Sequence, residues 1–121
     1  MARGIGTDII EIVRIDRAIL RHGSKFLDRL FTKNEQEYCL RHKKASRHFA
    51  GRFAAKEAIA KALGTGFGEH LSWLDIEIGH DPLGKPLAKL PAALLERFGN
   101  PTILLSISHS HDYATAVALM D

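Results

Sequence analysis

Apolar positions along this chain switch between a two-residue and a three-to-four-residue rhythm, and each switch marks an expected element. From Ile5 to Val13 the rhythm is two: Ile5, Thr7 and Ile9 point one way, and Gly6, Asp8, Ile10 and Ile12 the other. Both sets are largely apolar, which predicts a strand covered on both faces, with Asp8 held on one of them. Arg14 to Arg21 and Lys25 to Phe31 read as two short helical pieces. Thr32 followed by Glu35 is a capping-box pair that starts a helix running to about His42. The longest helical stretch spans Ser46 to Leu63, and Gly64 suits its C-terminal stop. Trp73 to Ile78 reads as a strand, and Asp81-Pro82-Leu83-Gly84-Lys85-Pro86 as a turn. Pro91 to Phe98 reads as a short helix opened by its proline. Ile103 to Ser108 and Tyr113 to Met120 read as the strands of a hairpin. The sum is an α+β fold, one long helix packed across a small antiparallel sheet, in a single domain over residues 1–121 without linker or repeat.

The long helix carries the densest chemistry. At about 100° per residue, Phe49, Phe53, Ile59, Ala60 and Leu63 share one arc, with Arg52 and Lys56 inside it and Glu57 and Lys61 at its edge. A cation on an apolar arc either snorkels to water along its stem or lines a cleft that offers positive charge to phosphates, and both readings stand for Arg52 and Lys56. Glu57 and Lys61 lie one turn apart. They are either a surface ion pair worth about 0.3–0.5 kcal/mol or a seat for a metal ion and a phosphate side by side. Asp8 shifts the balance, because a carboxylate among apolar strand residues is costly unless hydrogen-bonded, paired or metal-bound. Two carboxylates completed by water and phosphate oxygens suit an octahedral magnesium ion. The turn Gly64-Thr65-Gly66-Phe67-Gly68 would let backbone approach a phosphate or simply end the helix. It lacks the Gly-Lys-Ser/Thr of a phosphate-binding loop.

Composition narrows the class. The chain has 121 residues, of which 45% are hydrophobic and 26% charged, so a core is within reach and disorder is not indicated. No apolar run is long enough to cross a membrane, and the first residues contain no apolar stretch of signal-peptide length. The lone Cys39 has no internal disulfide partner, as expected of a cytoplasmic protein. A net charge of +3 with pI near 9.2 is too small to imply nucleic acid, although an acidic protein or a polyphosphate would be favoured. Arg14, Arg17 and Arg21 form one basic stripe on the first helix, either solvated or receiving an acidic partner. His109, His111 and Asp112 sit at the hairpin turn without the cysteine pair or helical histidine pair of a zinc site. No nucleophile elbow accompanies the nearby serines.

Four groups of residues, in order, resemble the small bacterial holo-acyl-carrier-protein synthases, a class of 4′-phosphopantetheinyl transferases. These are Gly4-Ile5-Gly6-Thr7-Asp8-Ile9; Ala50 through Ala58 with Lys61-Ala62-Leu63-Gly64-Thr65-Gly66; Gly84-Lys85-Pro86; and Ser106-Ile107-Ser108-His109 with Tyr113-Ala114. The resemblance implies transfer of 4′-phosphopantetheine from coenzyme A to a serine of apo acyl carrier protein, in fatty acid biosynthesis. It implies that Asp8 and Glu57 hold Mg2+ and that Lys61 neutralises charge on the pyrophosphate. Arg52, Gly64, Thr65 and Gly66 would line the coenzyme site, with Lys85, Pro86 and His109 near its adenosine end. Arg14, Arg17 and Arg21 would receive the acidic carrier. A homotrimer with active sites between subunits is implied as well. The attacking serine belongs to the carrier, which accounts for the missing nucleophile. Glu57 is the preferred general base, directly or through water. Two rivals are a non-catalytic basic module that binds an acidic protein or nucleotide, and a pyrophosphohydrolase. The first leaves Asp8 unexplained, and the second calls for more carboxylates than the one convincing pair.

Overall fold

Small residues set the architecture. The structure is a computed structural model describing residues 2–121; Met1, the first residue of the segment read for a leader, lies outside the described residues. The elements run β1 (Gly4–Glu11), α1 (Ile12–His22), α2 (Ser24–Leu30), α3 (Lys33–Leu40), α4 (Ala45–Leu63), β2 (Glu77–His80), β3 (Pro86–Lys89), α5 (Ala92–Arg97), β4 (Ile103–His109) and β5 (Tyr113–Met120). Three strands form an antiparallel sheet in the order β1-β5-β4, and β2 and β3 form a separate hairpin. Helix α4 crosses the three-stranded sheet, so the expected α+β architecture is the observed one. It packs on β5, and both elements bury small residues, Ala50, Ala54 and Ala58 on α4 and Ala114, Ala116 and Ala118 on β5. On β1, a Cβ added to Gly4 would strike the Ala62 carbonyl oxygen, and one added to Gly6 the Ala58 carbonyl oxygen. Strand and helix backbones therefore touch without side chains between them. Asp8, two residues along the same face and opposite Ala116 in register, is carried to the flank of α4.

Several expectations change in detail. Strand β1 ends at Glu11, and Ile12 opens α1, two residues before the expected helix start. The strand is covered on one face only: Ile5 is 68% and Ile9 65% exposed, while Gly6 and Ile10 are buried. Expecting cover on both faces from apolar content alone was wrong for the isolated chain. The stretch read as a strand from Trp73 begins instead as a 3₁₀ turn, Trp73–Asp75, capped by Ser72 and Asp75. Strand β3 begins on Pro86, the last residue of the expected turn, where the sequence pattern predicts no strand. The capping box is present as expected: Glu35 N–H donates to Thr32 Oγ1 and Thr32 N–H to Glu35 Oε1. Gly64, at φ 81°, ends α4 in a left-handed turn that suits glycine.

Candidate active site

Two separate groups of side chains stand out, on different sides of α4. The first is built where β1, an edge strand, meets the C-terminal half of the helix. Lys61 donates to the Thr7 carbonyl at 2.8 Å and pairs with Asp8 Oδ1 at 3.2 Å. Among the described residues Lys61 thus pairs with a carboxylate 53 positions away in sequence, not with Glu57 one turn back. Glu57 is half-buried. Burial, and then the nearby Asp8 carboxylate, raise its pKa above the usual range, with Lys61 partly opposing. Asp8, Glu57 and Lys61 therefore converge: two carboxylates, with Asp8 disfavouring the charged form of Glu57, and one ammonium.

The second group surrounds Arg52, which is 8% exposed. Its guanidinium lies 4.3 Å from the centre of the Tyr38 ring, and its Nε is buried with no hydrogen-bond partner among the described residues. A cavity of about 210 Å³ opens beside it, where Gly84, Pro86, His48 and His109 join Arg52 and Tyr38. Imidazoles crowd this wall: His42 and His48 stack at 3.8 Å, His80 sits 4.6 Å from Tyr38, and His48 lies 6.2 Å from His109. His42 Nδ1–H donates to the Tyr38 carbonyl at 2.9 Å. Burial first, and then His42, Arg52, His109 and Arg47, push His48 down to about 4, so its ring is neutral near pH 7. The cavity offers aromatic faces beside a buried, incompletely satisfied guanidinium, a combination that suits a planar base joined to a phosphate.

The predicted residues divide between these groups. Asp8, Glu57 and Lys61 come together, as do Arg52, Pro86 and His109. Gly64 and Gly66 are exposed at the end of α4, with Thr65 half-buried between them. Lys85 is exposed and does not line the Arg52 cavity; its backbone N–H is held by the Asp81 carboxylate at 2.9 Å. Arg14, Arg17 and Arg21 are all exposed on α1, near the equally exposed Leu20. Tyr38, His48 and His80 escaped the sequence reading. The one local signal was that His48 and Arg52 stand four residues apart on one helix.

Lys56 is the clear correction. It neither snorkels nor faces a cleft, being fully buried and paired with Glu35 at 2.8 Å. It also donates to the Leu30 carbonyl at 2.7 Å and the Trp73 carbonyl at 3.1 Å. Arg52 does not snorkel either, but unlike Lys56 it lines a cavity, with its guanidinium over the Tyr38 ring.

Comparison with known proteins gives this arrangement a family. Residues 4–118 match the 4′-phosphopantetheinyl transferase superfamily. The holo-[acyl-carrier-protein] synthase of Protochlamydia amoebophila is 56% identical over 119 residues, covering 98% of each chain. Among solved structures, the Neisseria meningitidis holo-[acyl-carrier-protein] synthase superposes with a TM-score of 0.92 at 40% identity, over 100% of this chain and 99% of that one. The Helicobacter pylori enzyme, solved in complex with coenzyme A, gives 0.89 at 40% identity, over 97% and 99%. The chain belongs to the 4′-phosphopantetheinyl transferase superfamily, in its holo-acyl-carrier-protein synthase branch.

Proposed function

We propose that Asp8, Glu57 and Lys61 form the reaction centre, and that the Arg52 cavity receives the adenosine end of the coenzyme. The chain is an enzyme that transfers 4′-phosphopantetheine from coenzyme A to a serine of apo acyl carrier protein, releasing adenosine 3′,5′-bisphosphate. The observation that carries the placement is the convergence of Asp8 and Glu57 from two elements, with Lys61 beside them. Among the described residues no three histidine, cysteine, aspartate or glutamate side chains gather as a closed metal site. Two hard oxygen donors fit Mg2+, which takes few protein carboxylates and completes its shell with phosphate oxygens and water. When bound, Mg2+ would neutralise charge on the pyrophosphate.

The chain's own groups then divide the work. Lys61 faces the charge that builds on the departing bisphosphate as the P–O bond breaks. Glu57, whose carboxyl holds a proton more tightly than usual, accepts the proton of the carrier serine as its oxygen attacks phosphorus. Arg52, with Nε unsatisfied, supplies a buried donor for the coenzyme's adenosine phosphate, while Tyr38 and the neutral His48 offer ring faces for the base. Gly64, Thr65 and Gly66 leave backbone accessible at the end of α4, and Lys85 adds charge near the Pro86 rim. The reaction centre and the Arg52 cavity lie on different sides of α4, and the outer sheet face presents Ile5, Ile9, Leu104 and Val117 to solvent. Both features support a homotrimer in which neighbouring copies cover that face and complete each site.

Incubation with coenzyme A, Mg2+ and apo acyl carrier protein should add the mass of phosphopantetheine to the carrier, as read by intact-protein mass spectrometry. Excess chelator should abolish the gain and added Mg2+ restore it; undiminished transfer in chelator would remove the metal from this account. The basic stripe is the proposed landing site for the acidic carrier. Reversing Arg14, Arg17 and Arg21 to glutamate should raise KM for the carrier about tenfold or more and leave kcat nearly unchanged. Rising salt should produce the same trend in the unmodified enzyme.

A further inference from the structure

The buried Lys56–Glu35 pair takes no part in the chemistry above, yet every polar atom it offers is used. Lys56 spends its three donors on the Leu30 carbonyl, the Trp73 carbonyl and Glu35 Oε1. Glu35 Oε1 also accepts from the Thr32 N–H, and Glu35 Oε2 accepts from the Ile78 N–H at 2.7 Å. One ion pair therefore joins the end of α2, the start of α3, the middle of α4, the Trp73 turn and β2. A second link reinforces it, because Thr32 Oγ1 donates to Glu77 at 2.6 Å.

The elements joined here include those that present Arg52, Tyr38 and His80 to the cavity, and α4 among them also carries Glu57 and Lys61. Three residues after Glu35, α3 presents Tyr38; four residues before Lys56, α4 presents Arg52 over that ring. The residues after Ile78 are Gly79 and His80, which line the same cavity. On the other side, the backbone carbonyl held by Lys56 is that of Trp73, whose indole stacks on Phe67 at 3.9 Å and on Phe53 at 5.0 Å. Phe53 lies one helical turn before Glu57. Among the described residues of this wall, Arg52 influences Lys56 only through space and as the smallest of the electrostatic effects on it, so the pair acts chiefly by fixing backbone positions. An apolar filler of similar volume could occupy this space, but it could not tie four backbone groups to one point.

We infer that Lys56 and Glu35 are positioning residues that set the Arg52–Tyr38–His80 wall, and through it the enzyme's preference for a coenzyme carrying the 3′-phosphate. This rests on reading the Arg52 cavity as the seat of the adenosine end. The pair is fully hydrogen-bonded, which favours one arrangement of α3, α4 and β2 over alternatives that strand its polar groups.

The test compares coenzyme A with 3′-dephospho-coenzyme A as donors, for Lys56→Met, Glu35→Gln and Arg52→Ala in the otherwise intact enzyme. Assays run well below each variant's thermal midpoint, with folding checked by circular dichroism. A displacement of wall groups by even about 1 Å can cost up to about a hundredfold. The expected result is a fall of about tenfold in the kcat/KM ratio of the two donors, driven by KM for coenzyme A, with KM for the carrier unchanged. A purely structural pair would lower thermal stability and leave that ratio at the wild-type value. If Arg52→Ala lowers the ratio while folded Lys56→Met and Glu35→Gln do not, the positioning role is overturned and the cavity reading stands. An unchanged ratio in Arg52→Ala overturns the cavity reading itself. Should Lys56→Met fail to fold, Glu35→Gln decides alone, because it keeps the size and acceptor oxygen of the original side chain.

Discussion

Glu57→Gln is expected to lower kcat for carrier modification by about a thousandfold, within the range ascribed to general base catalysis and metal-assisted transfer. The substitution keeps the volume of the side chain and one acceptor oxygen, so helix α4 and its packing should be unaffected. It would remove the negative charge proposed to hold a magnesium ion on this side of the cleft, together with the proposed acceptor of the serine proton. Two consequences separate this loss from general damage. Coenzyme A binding measured in chelator should change little, since the proposed adenosine cavity lies across the helix. The Mg2+ concentration giving half of the residual activity should rise. Asp8→Asn should resemble it with one difference, because Asp8 is also the partner of Lys61 at 3.2 Å and its loss frees that ammonium. A Glu57→Gln enzyme within tenfold of wild type would rule out Glu57 as both base and ligand.

The proposed reaction centre stood out in the sequence because its signals were local or costly. Glu57 and Lys61 occupy one helical turn, and Asp8 stood out as a charge on a strand face otherwise made of glycine and isoleucine. What periodicity could not foresee was pairing across the fold. Lys61 looked like the partner of Glu57 and belongs to Asp8. Lys56 fell on an apolar arc, and its true partner Glu35 had already been accounted for as a capping residue. Glu35 performs both roles, with one oxygen shared between Thr32 and Lys56 and the other reaching Ile78. The Arg52 cavity draws Tyr38 from α3, His48 from α4 and His80 from β2, and their meeting depends on packing that no short window of sequence contains. Strand β3 was missed because it has four residues, opens on Pro86 and follows a strong turn signal. The exposed Ile5 and Ile9 were taken as core, since apolar content alone does not distinguish a face buried within the chain from one left for another copy.

Gly6→Ala is expected to be the most destabilising single-methyl change in the molecule. The added carbon would overlap the Ala58 carbonyl oxygen and stand 2.8 Å from both the Ala62 nitrogen and the Lys61 Cβ. Two of these three neighbours are helix backbone, so no flexible side-chain tip can swing aside. Either β1 lifts from α4 or the helix shifts along the sheet. Overpacking of this kind costs about 3 kcal/mol, a large share of the roughly 5–15 kcal/mol that holds a typical domain together. Urea unfolding should show a matching drop in midpoint without a change in slope. Gly79→Ala provides the contrast: among the described residues nothing lies within 4 Å of its added carbon, and its stability should match wild type within experimental error. The same displacement reaches the chemistry, because Asp8 follows Gly6 on the same face of β1 and depends on the close approach to meet Lys61. In the folded fraction of Gly6→Ala, kcat should therefore fall further than KM for coenzyme A rises. A variant that unfolds more easily but turns over normally while folded would mean that the glycine serves packing alone, and that Asp8 reaches its place by some other constraint.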